Sequence, residues 1–305
     1  MEGISSVRSG FVGLVGAPNV GKSTLMNQIL KQKISITCPK PQTTRNRILG
    51  IYNTSRCQMI FVDTPGIHRA RDTFNKILVE TALATLSDVD VVAFIADVTA
   101  RSMDLDRFAV QCMEKLTTPV VLVLNKVDLL KDKATLLPLI QRYTAMRPFA
   151  AVVPVSALTG DGVTELVGEL EKRLPEGPRY YPEDAVTDQP ERFLVAEIVR
   201  EKVFHLTEEE VPYATAVTVD AFREDPQKNL IRIEATIHVE RDSQKGIVIG
   251  KGGARLKEIG RQAREDMERL LGCRVYLGLY VRVQKNWRQD RRVLGEFGYR
   301  LPRGT

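Results

Sequence analysis

The chain has 305 residues, 43% hydrophobic and 27% charged, with a formal net charge of +6, which leaves room for about two globular domains. Its longest apolar runs, such as 91–96 and 120–124, are strand-sized and far short of the ~20 residues that a membrane helix needs. Four cysteines without C-x-x-C spacing and three dispersed histidines argue against a disulfide framework and against a structural zinc site.

The first apolar stretch, residues 11–16, runs directly into a glycine-rich motif. It therefore reads as a buried strand and not as the core of a secretory signal, which places the protein in the cytoplasm. Further β-rich runs at 58–63, 91–97, 120–125 and 151–156 alternate with helical patterns at 22–31, 106–116 and 162–174. Alternation of this kind, with nearly continuous apolar strands, predicts an α/β domain over residues 1–175 with a doubly wound, mostly parallel sheet. Residues 47–52 would add an antiparallel edge strand. Pro175-Glu176-Gly177-Pro178 stops the last helix, and residues 176–190 read as an exposed linker.

The rhythm then changes. A helical pattern at 191–206, alternating strands at 213–222 and 230–240, a glycine turn at 250–253, an amphipathic helix at 254–271 and a strand at 274–283 give the order α-β-β-α-α-β. This second domain spans 191–286, and a basic tail, 287–305, follows. Charge divides with the architecture: from Arg241 onward there are 16 Lys and Arg against 7 Asp and Glu, whereas the first 240 residues hold 28 against 31. A basic bias of this sort is either a solvated face or the footprint of a polyanion partner.

Gly16, Ala17, Pro18, Asn19, Val20, Gly21, Lys22 and Ser23, with Thr24 behind them, match G-x-x-x-x-G-K-[ST] between a strand and a helix. Glycines let backbone N–H groups curl round phosphates, and the helix start adds partial positive charge. Lys22 would reach the outer phosphates of a nucleotide, and Ser23 would ligand Mg²⁺. Asp63, Thr64, Pro65 and Gly66 end the next strand, where a carboxylate can hold Mg²⁺ and a glycine N–H can sense a γ-phosphate. Asn125, Lys126, Val127 and Asp128 follow another strand. A buried carboxylate at Asp128 would accept from N1–H and the 2-amino group of guanine and reject adenine. Ser156 and Ala157 would bring a backbone N–H toward guanine O6. Four such elements in order are those of the P-loop GTPases.

Gln42, Thr43, Thr44, Arg45 and Asn46 lie in the loop before the edge strand, a switch segment whose threonine completes the Mg²⁺ set with Ser23 and Asp63. Thr44 is favoured and Thr43 is the alternative. Ile67 stands where many GTPases carry a water-orienting glutamine, so no residue is assigned as catalytic with certainty. Thr44, Gly66 and Asn19 are candidates, and hydrolysis is expected to be slow without an activator. Asn19 either caps its loop or helps hold K⁺ near the phosphates.

In the second domain Ile249, Gly250, Lys251, Gly252 and Gly253 form a G-x-x-G turn between two helices, with Arg255 and Lys257 beside it. Small residues at a helix start admit a sugar-phosphate backbone, and the KH module clamps about four nucleotides of single-stranded RNA in this way. Ile247, Ile249 and Leu256 read as core, with walls of the base-binding groove as the second reading. In the tail, Trp287 and Leu294 read as a helix packed back on the domain.

A P-loop GTPase followed by a type II α+β KH domain, with Pro-Gln-Thr-Thr-Arg in the switch and Val-Ile-Gly-Lys-Gly-Gly in the clamp, resembles the bacterial Era-type GTPases. The resemblance covers nearly the whole chain. It implies GTP and GDP as ligands, Mg²⁺ as cofactor, and binding of the 3′ end of 16S ribosomal RNA in assembly of the small (30S) subunit. It also implies peripheral association with the inner face of the cell membrane, and a monomer is expected. The alternative is a GTP-controlled signalling protein at the membrane whose KH fold serves another partner.

Overall fold

A computed structural model describes residues 7–70 and 72–299. The described residues divide into two compact units: residues up to 70 with Asn75–Asp188, and Asp72–Phe74 with residues from 189 onward.

The chain order begins β1 (Val7–Val15), α1 (Lys22–Leu30), β2 (Ile48–Asn53), β3 (Cys57–Asp63), α2 (Thr73–Thr85), β4 (Val91–Asp97), α3 (Asp104–Cys112) and β5 (Val120–Asn125). It continues through α4 (Leu136–Thr144), β6 (Ala151–Val155), α5 (Val163–Glu171) and the short β7 (Glu176–Gly177). The sheet runs β2-β3-β1-β4-β5-β6, with β7 beside β1. β2 is antiparallel to β3 and β7 to β1, and the other pairs are parallel. β3 and β5 are buried along their whole length, which is why they read as unbroken apolar runs instead of alternating ones.

Parallel pairing has a consequence for function. The register Leu14 to Asp63, Asp97 to Asn125, and Asn125 to Val155 brings the carboxyl ends of β1, β3, β4, β5 and β6 to one edge of the sheet. The chain leaves β1 toward β2 and β3 on one side, while β4 lies on the other. Crevices at such a reversal are where open α/β sheets take ligands.

Residues 176–188 are not a free linker. Val186 accepts from the Ile51 N–H at 2.7 Å, Thr187 Oγ1 donates to the Leu49 carbonyl, and Asn53 donates to the Glu183 carbonyl. The fully buried Gln58 amide accepts from the Tyr180 and Tyr181 N–H groups and donates to the Tyr181 carbonyl. The segment thereby covers the open hydrogen-bonding edge of β2, a stretch that proteins seldom leave bare. Its proline and charge content look like a tether because backbone bonding of this kind makes no demand on side-chain type.

The second unit contains α6 (Glu191–Leu206), β8 (Ala216–Asp225), β9 (Leu230–Val239), α7 (Asp242–Ile249), α8 (Ala254–Leu271), β10 (Arg274–Val283) and α9 (Arg291–Glu296). Its sheet order is β10-β9-β8, with β8 antiparallel and β10 parallel to β9. Ile259, Ala263 and Met267 of α8 are fully buried against Val199, Val203, Ile233 and Ile237, as the helical spacing of that stripe requires. Each large side chain so buried contributes roughly 1.5–3 kcal/mol. Residues 287–299 belong to this unit, and Trp287 and Leu294 pack back on it as read from the sequence. Trp287 is wholly buried, donates from Nε1 to the Ala214 carbonyl at 2.9 Å, and meets the rings of Phe74 and Phe297.

Candidate functional site

The turn after β1 wraps Lys22 so that its Nζ donates to the Gly16 and Ala17 carbonyls at 3.2 and 2.9 Å. Burial lowers the Lys22 ammonium to about 8, opposed by the nearby Asp63 charge. Gly66 packs against this turn so closely that a Cβ would lie 2.7 Å from Pro18 Cα, and only glycine fits. The Ile67 N–H donates to the Gly16 carbonyl, and Thr64 Oγ1 to the Leu14 carbonyl. The motif after β3 is thus fastened to the phosphate turn. Ile67 itself is completely buried in a core cluster with Val15, Ile60 and Val62, so that position serves packing. The following residue, His68, bonds through its ring nitrogens to the Gly66 carbonyl and to Asn75 Oδ1, which also accepts from Gln42 Nε2.

Three hydroxyls converge on one oxygen of Asp63. Ser23 Oγ donates to Oδ2 at 2.6 Å and Ser35 Oγ at 2.7 Å, with Thr44 Oγ1 at 3.4 Å from Oδ2 and 2.8 Å from Ser23 Oγ. Oδ1 is buried with no hydrogen-bond partner. Buried polar atoms without partners are rare, and an all-oxygen cluster with a free carboxylate oxygen suits a hard divalent cation. Burial raises the Asp63 carboxyl, with the Ser23 and Ser35 hydrogen bonds and Lys22 pulling the other way. Thr43, in contrast, turns to the Lys40 carbonyl, so Thr44 is the threonine that faces Asp63. Ser35 escaped the sequence reading. It is aimed by Asn27, whose Oδ1 accepts from the Ile34 and Ser35 N–H groups and whose Nδ2 donates to the Ser35 carbonyl. No spacing motif marks it, because the contact is made by a loop folding back onto β3.

Asn125 ties three loops together. It is 1% exposed, donates to the Val20 carbonyl at 2.7 Å and accepts from the Ala157 N–H at 2.9 Å. Lys126 pairs with Asp97 at 2.6 Å. Burial alone would raise the Asp97 carboxyl, but bonds from Lys126 and Thr99 bring it below its ordinary range. Val127 is buried and Ser156 fully so. Asp128, expected to be enclosed only against a bound guanine, is exposed on the turn Val127–Leu129. A carboxylate meant for a ligand must stay reachable, and the buried duty falls to its neighbour Asn125. Asn19 adopts a left-handed conformation and donates from Nδ2 to the Pro39 carbonyl at 2.6 Å, fastening the phosphate turn to the segment before the switch.

In the second unit the turn from Gly250 to Gly253 carries positive φ at Gly250, Gly252 and Gly253. A Cβ at Gly250 would crowd Arg255 at 2.8 Å, whereas Gly252 and Gly253 open onto empty space. Beside the turn runs a groove of about 690 Å³, floored by Leu256, Gly260, Leu277 and Leu279 and rimmed by Lys257, Arg261 and Arg264. Arg261 is held by Glu258 and Glu265, and Arg264 lies 3.7 Å from Glu268. Lys251 and Lys257 have no acidic partner among the described residues. Arg255 instead donates to the Ile247 carbonyl and braces the turn. On α7 the expected core assignment shifts by one residue, with Val248 buried, Ile247 exposed and Ile249 half-buried, whereas Leu256 packs on the core and also walls the groove. The short helix α7 turns the face carrying Val248 inward.

Two family models match this chain: one described as a 50S ribosome-binding GTPase over residues 11–126, and a KH domain over 210–288. GTPase Era of Geobacter metallireducens is 54% identical over 292 residues, covering 96% of this chain and 98% of that protein. GTPase Era of Staphylococcus haemolyticus is 47% identical, covering 96% and 97%. A crystal structure of Era in complex with MgGDPNP and nucleotides 1506–1542 of 16S ribosomal RNA superimposes with a TM-score of 0.93 at 43% identity, over 97% of this chain and 100% of that one. A variant of Aquifex aeolicus Era bound to GDP·AlF4⁻ gives 0.92 at 41%, over the same shares. With the phosphate turn, the guanine-side loops and the glycine clamp all present in one chain, and identity this high along nearly its whole length, the protein belongs to the Era family of GTPases.

Proposed function

We propose that this GTPase grips the 3′ end of 16S ribosomal RNA in its glycine-turn groove and lets go under control of GTP hydrolysis, during maturation of the small (30S) ribosomal subunit. The observation that carries the reading is the leucine-floored groove beside the Gly250–Gly253 turn, with Lys257 on its rim and Lys251 in the turn itself, neither with an acidic partner among the described residues. The related Era that superimposes on this chain holds both MgGDPNP and nucleotides 1506–1542 of that RNA, which supports it.

At the nucleotide site Lys22 would exchange its loop carbonyls for the outer phosphates. Ser23, Thr44 and Asp63 would hold Mg²⁺, which when bound neutralises phosphate oxygens as charge develops. Ser35 keeps the Asp63 carboxylate aimed. Asp128 and the Ala157 N–H would read guanine, with Asn125 setting their spacing. Ile67 cannot align the attacking water, so turnover is slow until the switch segment closes or RNA completes the site. The Asn19 contact with Pro39 supports its loop-fastening role. Its Oδ1 remains the group by which K⁺ would be held, and equal turnover in Na⁺ and K⁺ would remove that role.

Work on ribosomal RNA suits a cytoplasmic protein, and the further expectations are a monomer and the inner membrane face as a second location. Fractionation of cells and sedimentation of the pure protein test those two points. The functional test is crosslinking of the protein to RNA in cells followed by sequencing. Reads should concentrate at the 3′ end of 16S ribosomal RNA, and a profile without that enrichment would overturn the reading.

A further inference from the structure

β10 is an edge strand whose two faces have different work. Leu277 and Leu279 line the groove, whereas Tyr276 and Tyr280 project from the opposite face and are 55% and 57% exposed. No packing requirement explains two large exposed rings on one strand. Arg232, the register partner of Tyr276 on β9, holds its guanidinium 5.6 Å from that ring's centroid, a cation–π contact. Arg223, Arg274 and Arg282 share this outward face, and none of the four arginines has an acidic partner among the described residues. Of the acids nearby, Asp220 is occupied by the Thr218 and Thr236 hydroxyls and Asp225 lies 3.6 Å from Lys228, which leaves Glu234.

Gly278 stands midway between the two tyrosines. Its backbone is not left-handed, and a Cβ there would meet only Glu234 Cγ at 3.7 Å and similar ordinary contacts. Neither conformation nor packing therefore calls for glycine. Its effect is to keep side-chain atoms of its own out of the space between the two tyrosine positions, whose Cα atoms a strand's rise sets about 13 Å apart, with Tyr280 Cε2 and Glu234 Cγ bordering that space.

We propose that this outward face is a second RNA surface, with Tyr276 and Tyr280 stacking on bases and Arg223, Arg232, Arg274 and Arg282 taking phosphates. Its occupant is the RNA adjoining the nucleotides held in the groove, an inference that rests on the groove being the clamp. Because groove and face lie back to back on one edge strand, RNA leaving the groove reaches the tyrosines by rounding that edge. Unpaired arginines interleaved with aromatic rings suit a polyanion with flat bases.

The test titrates the full-length protein with two RNAs: about six nucleotides from the 3′ end of 16S ribosomal RNA, enough to fill a KH clamp, and the whole 1506–1542 segment. Two variants are compared with the parent: Tyr276→Ser with Tyr280→Ser, and Gly278→Val, which fills that space with a strand-compatible side chain. The tyrosine pair should weaken the long RNA about tenfold or more, Gly278→Val should weaken it several-fold, and the short RNA should bind as before. Unchanged binding of the long RNA in both variants, or equal loss on both RNAs, would overturn the proposal, including the case where the variants lose a protein partner instead. If the parent binds both RNAs and the variants do too, only this surface falls. If the parent binds neither, the clamp reading falls and takes this one with it.

Discussion

The nucleotide corner and the groove proposed for RNA treat their polar groups in opposite ways. Around Asp63 and Asn125 the contacts are buried or partly buried and mutually dependent: three hydroxyls meet one carboxylate oxygen, and one amide fastens the loops after β1, β5 and β6. Around the Gly250–Gly253 turn there is open space, with charge that is solvated or already half-neutralised along α8. A small ligand can be read by enclosure, where any unpaired group carries its full desolvation penalty. A long polyanion can be read only by accumulation over an exposed surface, where each charge is screened. Substitutions should therefore act steeply in the first region and gradually in the second.

Asn125→Ala presses hardest on that contrast. It strands the buried Val20 carbonyl and Ala157 N–H, and two orphaned groups at ~1–3 kcal/mol each should lower guanine-nucleotide affinity about 100-fold. Titration with fluorescent GDP measures this, and RNA binding without nucleotide should stay unchanged. Retention of GDP affinity within a few-fold would erase the distinction.

A second effect belongs to the C-terminal unit alone. Burial lowers His238 to about 4, with Asp220 opposing and Arg282 assisting; its Nε2 meets Thr218, and its ring lies 4.5 Å from that of Phe297. The folded state therefore refuses a proton that the unfolded chain accepts near 6.5. Stability is full above that value and is lost as pH falls toward 4, by about 2 kcal/mol after allowing for partial hydration. Trp287, the single tryptophan, reports this unit, so urea midpoints followed by its fluorescence should drop between pH 7 and pH 4.5. His238→Gln should flatten that slope, and an unaltered slope would assign the loss to other groups.

The smallest effect sharpens the comparison from the other side. Lys251→Gln should weaken RNA about threefold and reduce the salt dependence of binding by about one counterion, with GDP affinity untouched. A tenfold or larger loss would mean that the clamp works by enclosure after all.

Much of the nucleotide site was legible because its residues follow one another along single turns, where spacing alone sets geometry. Lys22 with Ser23, Asp63 with Gly66, and Asn125 with Asp128 are of this kind. Ser35 and Asn27 were not legible, since a serine in an apolar run says nothing about which strand end its loop returns to. The exposure of Asp128 was not legible for a related reason: a motif gives order, whereas burial depends on what packs over the turn. In the second unit the G-x-x-G turn and the stripe on α8 were plain, but α7 was judged one residue out of phase, because eight residues are too few for periodicity to fix a face.

The sequence by itself determined the family, the two-part architecture and the chemistry of each loop, because those depend on local spacing and on the period of apolar residues. Only the tertiary structure decided which threonine faces Asp63, that Ile67 is core, that residues 176–188 complete the edge of β2, and which carbonyl the Trp287 ring bonds to. Each of those turns on segments far apart in the chain meeting at a particular atom, and hydrogen bonding and close packing settle such meetings only once the whole fold is in place.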